Sequence, residues 1–167
     1  MIGLSERSLL MQRKTVKESR VIQTRLVLPP DTNHIGTIFG GKILAYIDEV
    51  AALSAMKHAN AIVVTASIDS VSFLSAAKVG DALTLEAFVT YTGRTSMEVY
   101  VKVSAENFLH AHEKLTTEAF LTMVAVDEHG KPIKVPEVIP ESEEEKRLFE
   151  TAPARREKRM KRRKLGN

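Results

Sequence analysis

Apolar and polar residues alternate along three stretches of this chain and recur by threes and fours along another. Residues 20–28 (RVIQTRLVL) set Val21, Gln23, Arg25 and Val27 on one side, with Ile22, Thr24, Leu26 and Leu28 on the other. That period of two predicts a half-buried strand, which Pro29-Pro30 ends. A loop, DTNHIGTIFGG, follows. Residues 42–58 (KILAYIDEVAALSAMKH) carry apolar side chains at 43, 44, 47, 50, 51 and 55 and are rich in alanine, which predicts a helix. Its few charges lie mostly at its ends, so it should be largely enclosed.

The rest reads mainly as strand. Residues 62–74 are long and β-branched. Residues 82–91 set Leu83, Leu85, Ala87 and Val89 against Thr84, Glu86, Phe88 and Thr90, and residues 96–105 set Met97, Val99, Val101 and Val103 against Glu98, Tyr100, Lys102 and Ser104. Residues 115–126 form the last strand. Turn chemistry separates several of them, at Lys78-Val79-Gly80-Asp81, at Gly93-Arg94 and at 127–132. Hairpin-length connections imply an antiparallel sheet, and one helix against it makes an α+β domain of about five strands. A single helix cannot cover so large a sheet, so the uncovered area and edges favour pairing with another subunit.

Residues 1–18 show no clear period and are expected to form an N-terminal arm, mobile or loosely docked; 19–140 form the single domain. Residues 141–167 form a charged C-terminal helix or tail, acidic first and basic later, which suits a helix dipole, although Pro153 is expected to interrupt it. Ten of the 24 Lys and Arg residues and six of the 21 Asp and Glu residues lie in that tail, which leaves the body close to neutral. The overall basicity therefore does not describe the body as a nucleic-acid binder. The bland reading of the tail is a solvated helix; attraction to phosphates, nucleic acid or an anionic membrane is the alternative.

Composition removes other classes. The chain has no cysteine, which excludes disulfides, a thiol nucleophile and thiolate metal sites. It lacks tryptophan, and no apolar run approaches the roughly 18 residues that span a bilayer. The first twenty residues carry no sustained apolar leader, so a cytoplasmic location is expected. No nucleophile elbow, P-loop or zinc-protease motif occurs. The five histidines are scattered: His110 and His112 lie in a loop-like stretch without an obvious third ligand, and His34 takes no assigned role.

The densest chemistry lies in residues 31–50. Asn33 stands in the loop, Gly40 and Gly41 at the helix start, and Asp48 about two turns inside. Helix-start amides can receive a developing negative charge, and an enclosed carboxylate can act as general base or nucleophile. The same residues also admit a purely structural reading, with Asn33 closing an Asx-turn, the glycines as punctuation and Asp48 solvated or ion-paired beside Glu49. Gly93-Arg94-Thr95-Ser96 offers a cation, hydroxyls and amides at a turn, equally a phosphate contact or a solvated hairpin.

The blocks LPPDTNHIGTIFGGKILAYIDEVAA, VVTASIDSVSF, VGD, YTGRTSMEV, FLTMVAVDEHGKP and VPEVIPESEEEKRLFE, in this order over about residues 18–165, resemble the hotdog-fold acyl-CoA thioesterases. Within that family the chain is similar to the acyl-CoA hydrolase branch of bacterial cytoplasmic and brain-type vertebrate enzymes. The resemblance implies an antiparallel sheet wrapped around one long helix, a dimer with a continuous sheet, and a trimer of dimers. It implies hydrolysis of acyl-CoA to free CoA and a carboxylic acid, with no metal or redox cofactor. It assigns catalysis to Asn33 and Asp48 meeting across the dimer interface, and the amides of Gly40 and Gly41 would face the oxyanion. Val64, Thr65 and Ser67 would line the acyl or pantetheine path, and Arg94, Thr95 and Ser96 would lie near the nucleotide. Phe39 stands where several relatives carry histidine. A non-catalytic acyl-CoA-binding regulator of the same fold is the alternative.

Overall fold

A computed structural model describes residues 12–166. In chain order the elements are β1 (Arg13–Thr15), α1 (Val16–Ser19), β2 (Val21–Leu26), α2 (Gly40–Ala59), β3 (Ile62–Phe73), β4 (Ala82–Thr92), β5 (Ser96–Asn107), β6 (His112–Val126), β7 (Glu137–Ile139) and α3 (Glu143–Leu165). Five strands form an antiparallel sheet in the order β2-β4-β5-β6-β3. β1 and β7 pair separately and in parallel.

The alternation seen in the sequence sorts the sheet into two faces. Val99 stands opposite Val89 and Leu121, and Met97 opposite Met123. These residues are fully buried. Cross-strand partners share a face, and α2 lies on this one: its buried residues, among them Ile43, Ile47, Val50, Ala51 and Ala55, follow the three-and-four spacing. Asn60 ends the helix in the left-handed conformation, at φ 50°, a geometry that asparagine tolerates better than most residues.

The opposite face carries Phe88, Tyr100 and Phe120 in a row of ring contacts, with Glu98 and Thr122 nearby. Here the tail reading needs correction. α3 is not a solvated or interrupted tail but a 23-residue helix docked on this face. Leu148 and Ala152 are buried, and Arg155 lies over Phe120 while its guanidinium meets the buried Glu98 at 2.8 Å. Pro153 removes one helical hydrogen bond, but docked residues on either side hold the helix through it. Ser142 caps it, with Oγ accepting from the Glu145 amide at 3.2 Å and Glu145 accepting in return from the Ser142 amide at 3.0 Å.

The expected N-terminal arm is also altered. Residues 1–11 lie outside the described residues, but β1 pairs with β7, and Val16 and Ser19 of α1 are fully buried. α2 is less enclosed than its sequence suggests, with Leu53 and Met56 exposed on one flank. β2 and β3, the two edges of the sheet, expose Ile22, Leu26, Ile62, Val64, Ile68 and Phe73. These are the uncovered apolar edges anticipated from a five-strand sheet.

His58, near the end of α2, is fully buried, and its Nε2 lies 2.7 Å from the Pro136 carbonyl oxygen. Nε2 therefore carries the proton and donates it, while Nδ1 is buried without a partner. Burial, with Lys14 adding to it, pushes the imidazole below its ordinary 6.5, and the Pro136 contact and Glu18 offset this only in part. The folded protein thus resists a proton that the unfolded chain accepts. Stability is fully present above pH 6.5 and is lost as pH falls from there toward the lower folded value. Glu18 and Glu145, both held below 4.5, add their own losses only in more acid solution. Thermal melts between pH 7 and pH 5 should show a falling Tm that is flattened in His58→Gln. A parallel fall in that variant would remove His58 as the cause.

Candidate functional site

The loop between β2 and α2 is built around Asn33. Its Oδ1 accepts from the amides of Ile35 at 3.1 Å and Thr37 at 3.2 Å, and its Nδ2 donates to Thr37 Oγ1 at 2.9 Å. Its backbone amide donates to the Thr37 carbonyl at 2.8 Å. Gly36 turns the loop at φ 79°, which explains a glycine there. His34 is exposed, and Ile35 presents most of its surface at the tip. Within one chain Asn33 is thus the fastener of an Asx-type loop.

Phe39 brings the chain into α2. Its amide donates to the Asp31 carbonyl at 3.0 Å, and its ring remains half exposed. Gly40 and Gly41 are the first two helical residues, where backbone amides have no partner within the helix. A Cβ on Gly40 would sit 3.4 Å from the Phe73 ring, whereas one on Gly41 would meet nothing within 4 Å. The helix start is therefore open at Gly41 and walled by Phe73 at Gly40. Beside it runs a cleft of about 380 Å³ with Ile38, Gly40, Ile43, Phe73 and Leu74 in its lining.

Asp48 lies about 12 Å along the helix from Gly40 and is half-buried. Its Oδ1 accepts from Thr65 Oγ1 at 2.7 Å. Glu49, its neighbour, takes Arg25 at 2.9 Å; among the described residues no cation forms an ion pair with Asp48. The ion-paired structural reading therefore falls on Glu49. A carboxylate with one oxygen held by a hydroxyl and the other free can accept a proton from water.

The substrate-path residues divide. Thr65 stands opposite Met123 on the α2 face. Val64 is paired with Val124, and Ser67 with Thr122, on the α3 face. A bulge between Thr65 and Ser67 produces this arrangement. The three side chains do not line one wall in the single chain. Arg94, Thr95 and Ser96 form the β4–β5 turn, tied by their carbonyls to Val135, Ala125 and Gly93. The Arg94 side chain is exposed beside a cavity of about 310 Å³ whose lining includes Arg13 and Lys134. Ladder register puts Ser96, Val124 and Val64 in one row and Met97, Met123 and Thr65 in the next. The turn and the Thr65 end of β3 thus lie two strands apart, about 10 Å.

Asp69 is the polar residue that the sequence reading passed over. Its signal was a carboxylate inside a long β-branched strand, where a buried charge needs partners. Among the described residues no three His, Asp or Glu side chains gather as a metal site. Within the same limits, no helix is long and apolar enough to cross a membrane.

Comparison with known proteins adds to this geometry. The profile of the thioesterase superfamily matches residues 35–107. The chain is 47% identical over 146 residues to an uncharacterized acyl-CoA thioester hydrolase of Bacillus subtilis, covering 87% of this chain and 85% of that one. It superposes with TM-score 0.89 and 73% identity on an apo-hexameric acyl-CoA thioesterase, covering 90% and 97% of the two chains. An acyl-CoA hydrolase from Staphylococcus aureus, solved with butyryl coenzyme A, coenzyme A and coenzyme A disulfide, matches at TM-score 0.88 and 47% identity, covering 92% and 94%. That hydrolase has also been solved with an aspartate, a threonine or an asparagine changed to alanine.

Proposed function

The chain belongs to the thioesterase superfamily, and on that premise we infer that it is an acyl-CoA hydrolase whose reacting carboxylate is Asp48. The observation that carries the assignment to Asp48 is the Thr65–Asp48 hydrogen bond at 2.7 Å. It holds Oδ1 and leaves Oδ2 for a water. Support comes from spacing. In the S. aureus hydrolase the altered asparagine, aspartate and threonine are separated by fifteen and then seventeen residues. Asn33, Asp48 and Thr65 stand at the same separations.

In the proposed reaction Asp48 takes a proton from water as its oxygen attacks the thioester carbonyl carbon. The carbonyl oxygen becomes an oxyanion, for which the open amides at Gly40 and Gly41 are the natural donors. Collapse breaks the carbon–sulfur bond, and the proton held by Asp48 passes to the departing thiolate. The products are free CoA and a carboxylic acid. Asn33, already committed to its own loop, contributes to the Asp48 of a neighbouring subunit, where it orients the water or the thioester. The apolar edges at β2 and β3 favour such a neighbour. With the hexameric relative they support a dimer as the minimal unit and a trimer of dimers as the assembly.

Free-thiol release from purified protein across short to long acyl-CoAs tests the reading. Hydrolysis of at least one member is expected. Binding of acyl-CoA without turnover of any member would favour the non-catalytic regulator.

A further inference from the structure

β3 carries two irregularities within a few residues, between Thr65 and Ser67 and between Ile68 and Ser70, and pairs only with β6. Ala66 and Asp69 are the residues left without a ladder partner. Bulges bend a strand and free its local register, and Thr65 sits at the lip of the first one. The hydroxyl that meets Asp48 is thus mounted beside a bulge on an edge strand of the sheet.

The bulged segment is held from the opposite face. The Asp69 carboxylate accepts from Ser67 Oγ at 2.7 Å through Oδ1 and from Thr122 Oγ1 at 2.6 Å through Oδ2. Thr122 is the ladder partner of Ser67. Arg159 of α3 donates to Thr122 Oγ1 at 2.5 Å and lies 3.8 Å from Asp69 Oδ2. Arg162, one turn on, donates to the Asp69 carbonyl at 2.8 Å. The side chains of Asp69 and Arg159 are only 11% and 13% exposed. Two charges withdrawn so far from water bring little net stability, and the proposed reaction uses neither.

We propose that the Asp69–Thr122–Arg159 cluster is a positioning device, through which α3 sets the bulge of β3 and so seats the Thr65 hydroxyl on the Asp48 carboxylate across the sheet. The proposal rests on Asp48 as the reacting carboxylate. In this role Asp69 and Arg159 act through Thr65. The aligned carboxylate then keeps one defined oxygen for water, and a misplacement of about 1 Å at such a centre costs up to about 10²-fold in rate.

A double-mutant cycle on kcat tests it, with Asp69→Asn and Thr65→Ala alone and combined. Thiol release is followed well below the melting temperature, on protein whose assembly is verified. Asp69→Asn should lower kcat by about tenfold to a hundredfold with KM little changed, and should add little to Thr65→Ala. Arg159→Lys should show a smaller loss of the same kind, because an ammonium keeps the charge but not the planar fork. Wild-type kcat in Asp69→Asn, a loss confined to KM, or a full additional loss on top of Thr65→Ala overturns the positioning role. Wild-type kcat in Thr65→Ala overturns the proposal, whereas wild-type kcat in Asp48→Asn overturns its premise, so the two failures are told apart. If Asp69→Asn does not assemble, Arg159→Lys carries the same cycle.

Discussion

Asp48→Ala is expected to lower kcat for acyl-CoA hydrolysis by about 10³-fold while leaving the assembly and most of the stability intact, within the range for removing a positioned general base. The side chain is half-buried on α2, and among the described residues its one side-chain hydrogen bond is to the Thr65 hydroxyl. Losing the carboxylate therefore leaves one hydroxyl without an acceptor at a site that water reaches, a small structural cost. The loss should appear in kcat and in kcat/KM alike, because the proton is transferred only as the carbon–oxygen bond forms. Asp48→Asn, nearly isosteric and unable to accept the proton, should be as impaired as alanine. Thiol-release kinetics on both variants, with size-exclusion chromatography for assembly, make the check. Turnover near wild type in Asp48→Asn would mean that the carboxylate only positions.

Asn33→Ala is expected to lower kcat by about 10²-fold, in keeping with loss of one donor to the reacting group. That variant alone is ambiguous, because Asn33 also fastens its loop through Ile35 and Thr37. Subunit mixing asks instead which chain supplies each residue. If each site takes Asn33 from one subunit and Asp48 from the next, a mixed dimer of Asn33→Ala and Asp48→Ala holds one intact site and one doubly altered site. Random reassortment then restores about a quarter of wild-type activity, from the two-fold symmetry of the pair. No recovery in verified mixed dimers would put both residues of each site in one chain. A collapsed loop in Asn33→Ala leaves the intact site of the mixed dimer untouched as well, since that loop serves only the doubly altered site, so recovery reports which chain supplies each residue.

Much of the fold was legible because it is written locally. β4 and β5 alternate cleanly, so the face against α2 could be read from Leu83 to Val103, whereas Phe88, Thr90, Glu98 and Tyr100 on the other face are buried as well. The turns at 78–81 and 93–94 follow from glycine and asparagine-like chemistry. α2 showed its three-and-four spacing, although its flank at Leu53 and Met56 lies exposed in a single chain. The tail misled because its exposed cations outnumber its anchors. Leu148, Ala152 and Arg155 dock it, yet Arg155 is one basic residue in a basic run until Glu98, 57 residues away, is placed beneath it. Pro153 misled for a related reason: its local penalty is real, and distant packing outweighs it.

The candidate site divides along the same line. Asn33, Gly40, Gly41 and Asp48 lie within one loop and the helix it feeds, so their order, their spacing and the open helix start were properties of adjacent residues. The sequence by itself determined those, along with the strands, the turns and the family resemblance. Only the tertiary structure decided that Thr65 rather than Val64 or Ser67 meets Asp48, that Glu49 rather than Asp48 takes the arginine, and that Asp69 is gripped by α3. Each of these choices hangs on register between strands far apart in the chain. A single bulged residue exchanges the two faces of a strand, and no pattern of neighbours records which way the strand has slipped.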